Sequence, residues 1–266
     1  MNLYQQVEAA LLQPVSELKC DQVRQLQADW DMGLLGRAAI APLLAIDDPG
    51  RPEQPLLVDP RKLKQRSSAT EQGRICLLHA VAHIEFNAIN IALDAVYRFR
   101  DMPAEYVRDW LAVAADEARH FALLNEALLS RGSFYGAIQA HSGLWDMVCK
   151  TRDDVLHRMA LVPRVMEARG LDVTPAMIDK FNQAEDSNAA EILAVILQDE
   201  IGHVRIGNHW YDYLCQQRGL DAKQTFQDLV ACYLGGRLRG PFNHAARLEA
   251  GFERSELELI EQLGRA

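Results

Sequence analysis

Ala115-Asp-Glu-Ala-Arg-His-Phe-Ala-Leu-Leu124 holds the pattern Glu-x-x-His in Glu117 and His120, and Asp199-Glu-Ile-Gly-His-Val204 repeats it in Glu200 and His203. Residues three apart share one face of an α-helix, so each pair can hold a metal ion from a single side. A dinuclear site in a helical bundle takes one more carboxylate from each of two further helices. Glu85 stands 32 residues before Glu117, and Glu167 stands 33 before Glu200. Glu85 is the only Glu between Gly73 and Arg100, and Glu167 the only one between Gly143 and Gly170. The order Glu, Glu-x-x-His therefore occurs twice with nearly equal spacing, as expected of two similar helical hairpins.

The rest of the chain agrees with an all-α reading. Apolar positions Leu78, Ala82, Ile89 and Val96 keep helical period over 73–100, with Glu85 inside the stripe. Pro103 opens a second helix ending near Gly132, with Trp110, Val113, Leu124 and Leu128 on the face of Glu117 and His120. A third helix is predicted over 144–169 with Gly170 as its stop, and a fourth from the cap Thr174-Pro175 to Arg218-Gly219. Residues 3–35 read as two short helices around Pro14, and 41–60, with four prolines before Pro60, as an extended connection. The tail, 223–263, reads as a short helix, a Gly-rich bend and a terminal helix. The expected organisation is an N-terminal arm (1–72), a four-helix bundle (73–218) and a C-terminal helical extension (219–266).

A net charge of −9 argues against a broadly basic nucleic-acid-binding surface. The run Arg61-Lys62-Leu63-Lys64-Gln65-Arg66 reads as a solvated loop, with contact to an anionic partner as its rival. Five scattered cysteines form no Cys-x-x-Cys pair, which argues against a zinc ribbon, a rubredoxin-type centre or a dithiol motif. With no signal-like N-terminus and no long uncharged apolar run, a cytoplasmic protein without a membrane span is expected.

Four ionised Glu and two neutral His around two divalent cations are close to electroneutral, so the set can lie in an apolar interior. Without metal the carboxylates would repel and raise one another's pKa. Carboxylate plus imidazole suits iron or manganese better than magnesium, calcium or copper. Asp116 and Asp199 precede the two motif Glu residues identically; they read as acceptors for the ligand imidazoles or as solvated surface groups. Pro163 would free the Met159 carbonyl and kink the helix carrying Glu167. Gly202 and Gly207 lie mid-helix, where close approach of a neighbour or open space would account for them. His79, His83, His141, His157, His209 and His244 read as core or surface histidines, and Trp110 and Tyr211 as core aromatics, with electron relay or a substrate channel as the rival role.

Glu85, Glu117-Ala-Arg-His120, Glu167 and Glu200-Ile-Gly-His203 resemble the ligand set of the ferritin-like di-iron carboxylate superfamily. His83-Ile-Glu-Phe-Asn-Ala-Ile-Asn90, the run Arg158–Pro175 and the second motif further resemble an uncharacterised bacterial ferritin-like family. That family is distantly similar to di-iron hydroxylases of a modified tRNA adenosine. The resemblance implies two irons, or a manganese–iron pair, reacting with dioxygen or peroxide. It implies an oxidoreductase of the oxygenase or hydroxylase kind but does not supply the substrate, which is left as an unknown small molecule or modified nucleoside; the electron donor and oligomeric state stay open. Ferroxidase or iron handling, and a metal-stabilised binding scaffold, are the rival readings.

Overall fold

The computed structural model describes residues 1–38, 41–63 and 67–265. Lys64, Gln65 and Arg66 of the basic run lie outside the described residues. Among the described residues the fold is all-α, with two isolated bridges and no strand. The chain divides into two compact units, Met1–Cys149 and Lys150–Ala266. The N-terminal helices belong to the first unit because they pack on its central hairpin, and the C-terminal helices to the second for the same reason.

In the first unit, α1 (Leu3–Leu11) and α2 (Ser16–Asp31) precede the long pair α3 (Glu71–Arg98) and α4 (Ala104–Leu129), and α5 (Gly143–Lys150) follows. The short connection 99–103 makes α3 and α4 antiparallel neighbours, with α1 on α3 and α2 on α4. Thr70 caps α3 by accepting from the Gly73 N–H. Long and apolar enough to cross a membrane, α3 has 78% of that window buried inside the protein, as befits a core helix. Lys19 of α2 is fully buried; its ammonium donates to the Ala10 and Leu11 carbonyls at the end of α1 and to Asn90 Oδ1 of α3, at 2.7–2.9 Å. Burial lowers its pKa to about 7, but three acceptors for three N–H donors match the charged form. The Pro-rich connection is irregular, as expected, and is tied down where the Trp145 indole donates to the Asp47 carbonyl.

In the second unit the predicted third helix is not continuous. α5 ends at Lys150, α6 covers Val155–Leu161, a π-helical turn covers Val162–Glu167, and α7 runs Ala168–Gln183, straight through Gly170, Thr174 and Pro175. The fourth helix, α8, begins at Ser187 rather than Thr174 and ends at Arg218, where Gly219 takes a left-handed φ of 63°. Glycine and proline mark helix ends only when tertiary packing does not override them. Leu171, Thr174 and Phe181 bury their face of α7, and the actual break falls at Glu185, at a φ of 57°, with Asp186 capping α8 through Ala189 N. α7 and α8 are the second closely packed pair, and α9 (Ala222–Leu234), α10 (His244–Glu249) and α11 (Arg254–Arg265) complete the unit.

Candidate metal centre

Glu85 lies mid-way along α3, in a stretch buried without interruption from Glu85 to Tyr97. The facing helix α4 presents Glu117 and His120 one turn apart on its core side, between Ala114 and Leu124. Glu117 and His120 are 0% exposed and Glu85 is 3% exposed. His120 Nδ1 is 3.1 Å from Glu85 Oε2 and 3.5 Å from Glu117 Oε2. One donor atom from each of the three lies within 4.8 Å of the others, close enough for a single cation to bind all three.

The electrostatics of this trio are unusual. Burial by itself would push the imidazole pKa down, but hydrogen bonding to and the charge of Glu117 and Glu85 outweigh it and raise His120 to about 11. With both carboxylates ionised the trio would carry net −1 even with an imidazolium, and all three side chains are buried.

The second unit holds the other motif. Glu200 and His203 are buried on α8, and His203 Nδ1 is 3.6 Å from Glu200 Oε1. Glu167 ends the π-helical turn and is half-buried. Asp116 is half-exposed and forms an ion pair with Arg119 at 3.2 Å; Asp199 is half-buried.

Two of the histidines read as core or surface groups, His79 and His83, are held by hydrogen bonds in the first unit. The His83 Nε2–H donates to the His141 carbonyl and its Nδ1 accepts from the Tyr135 hydroxyl, both at 3.0 Å. His79 Nε2 accepts from the Gly136 N–H, and burial, reinforced by neighbouring His83, holds its pKa down at about 4. Together they pin the loop after α4 onto α3. Trp110 and Tyr211 are buried, the latter donating to the Ala222 carbonyl. Gly207 is a close approach, since a Cβ there would collide with the Pro163 ring, whereas Gly202 faces open space.

Reading for ligands missed Arg164, whose guanidinium is buried against three aromatic rings and paired with Glu256. The rings come from distant parts of the chain, so no local pattern announces it.

A family model described as "Protein of unknown function (DUF455)" matches residues 12–258. The chain belongs to the DUF455 family. A relative from Haemophilus influenzae, named "Uncharacterized protein", is 46% identical over 267 residues, covering 97% of this chain and 93% of its own length. No solved structure matches the chain.

Proposed function

We propose that this DUF455 chain is a ferritin-like di-metal carboxylate protein, with Glu85, Glu117 and His120 supplying one half of the centre and Glu167, Glu200 and His203 the other. The observation that carries this reading is the buried trio of the first unit, whose donor types suit a first-row transition metal and whose net charge calls for a cation. The repeated Glu-x-x-His on α8 supports a second equivalent. Iron is the metal we favour, with manganese–iron as the alternative, and the activity we propose is an oxidoreductase using dioxygen or peroxide on an organic substrate. When bound, the metal pair supplies Lewis acidity and electrons for that oxidant.

The protein's own part is to hold the six side chains on its helices, five of them buried and Glu167 half-buried. α3 and α4 keep Glu85 and Glu117 on opposite helices, so that His120 meets both carboxylates, and Asp116 and Asp199 would fix imidazole orientation. The test is metal analysis of protein produced with iron, followed by mixing the reduced protein with dioxygen or peroxide under optical detection. Two irons per chain and an oxidant-dependent absorbance change are expected. Absence of stoichiometric metal, or an inert reduced protein, would overturn the proposal.

A further inference from the structure

The turn that carries Glu167 is abnormal in a way the ligand motif does not require. The Ala168 N–H reaches back to the Pro163 carbonyl, five residues earlier, giving the wide π-helical turn Val162–Glu167. Such turns are rare and occur mostly as single-turn insertions, frequently at functional sites. In a regular α-helix, residues three apart such as Arg164 and Glu167 would lie about 60° apart around the axis. Widening the turn moves them further apart, so the two side chains can serve different neighbours.

Two contacts hold the turn in this shape. On one side the Pro163 ring fills the space left by Gly207 of α8, a position no side chain could share. On the other, the Arg164 guanidinium is 4.4 Å from the Tyr211 ring centre and 4.9 Å from those of Phe226 and Phe252, and it pairs with Glu256. Tyr211 belongs to α8, Phe226 to α9 and Glu256 to α11, so one cation gathers three helices around the turn. Arg164 is 1% exposed, and its planar charge stacked on aromatic faces cannot be replaced by the point charge of lysine.

We infer that Arg164 is a positioning residue: its aromatic cage, with the Pro163–Gly207 contact, locks the π-helical turn and thereby sets where Glu167 presents its carboxylate. The inference rests on the proposed metal centre, and its test separates the two. Co²⁺ is titrated into the metal-free full-length protein, with binding and d–d absorption followed together. Wild type is expected to take two equivalents. Arg164→Met and Glu167→Gln are expected to weaken the same equivalent, by about 10–100-fold, and to change its absorption alike while sparing the other. Phe181→Leu, which thins the buried face of α7, should lower thermal stability without altering the cobalt spectrum. An Arg164→Met protein with wild-type affinities and spectrum overturns the positioning role and leaves the metal centre standing. Failure of wild type to bind Co²⁺ overturns both, and is seen before any variant is made. If Arg164→Met does not fold, Phe226→Leu removes one wall of the cage and should shift the same equivalent by a smaller amount; an unchanged spectrum there overturns the role as well.

Discussion

Replacing Glu117 by Gln tests whether the buried trio is built for a cation. In the metal-free protein this change takes the trio from net −1 to neutral, and His120 keeps Glu85 at 3.1 Å, so no charge is stranded. The amide is nearly isosteric with the carboxylate and the site is 0% exposed, so metal-free stability should be equal to wild type or higher. With metal the sign reverses. A ligand at 1,000 times its Kd stabilises the folded state by about 4 kcal/mol. Loss of a ligand that weakens binding about 100-fold leaves about 1.4 kcal/mol of that at the same concentration. The difference, about 2.7 kcal/mol, corresponds to roughly 5–10 °C in Tm for a chain of this size. The assay is paired thermal melts of wild type and Glu117→Gln, each chelated and each with excess Fe²⁺ or Co²⁺. An unchanged metal-induced rise in Tm, or an equal loss of stability with and without metal, would refute the reasoning and return Glu117 to an ordinary core role.

The two mid-helix glycines of α8 should respond oppositely in chelated protein. Gly207→Ala should destabilise by about 1–3 kcal/mol through collision with Pro163, while Gly202→Ala, facing open space, should stabilise by about 0.5–1 kcal/mol; denaturant midpoints decide. His79 is held near pKa 4 against an ordinary 6.5, so between these values the unfolded chain binds a proton that the folded chain refuses. The contribution of His79 to stability should therefore fall as pH drops from 6.5 towards 4 and level off below, and a His79→Gln variant should show less slope between those values. Lys19→Met should cost about 1–3 kcal/mol in urea unfolding, because the Ala10 and Leu11 carbonyls and Asn90 lose their shared donor; a neutral result would show those contacts to be dispensable.

The first long helix pair and the core face of each motif were legible in the sequence, because periodicity and three-residue spacing are local properties that survive whatever packs around them. α3 and α4 lie within three residues of the expected boundaries, and Glu85, Glu117 and His120 come together. The second pair was less legible. Thr174-Pro175 and Gly170 have the local chemistry of a boundary, yet α7 runs through all three while Glu185 turns the chain.

By itself the sequence determined the helical class, the face on which each motif stands and the donor types offered to a metal, since these follow from residue identity and a 3.6-residue period. Only the tertiary structure decided that α1 and α2 pack on α3 and α4, and that the chain at Pro163 takes a π-helical turn seated on Gly207. It alone, too, brought Tyr211, Phe226 and Phe252 around Arg164. The reason is physical: such features depend on contacts between residues dozens of positions apart, whose energies exceed the local preferences that a sequence displays.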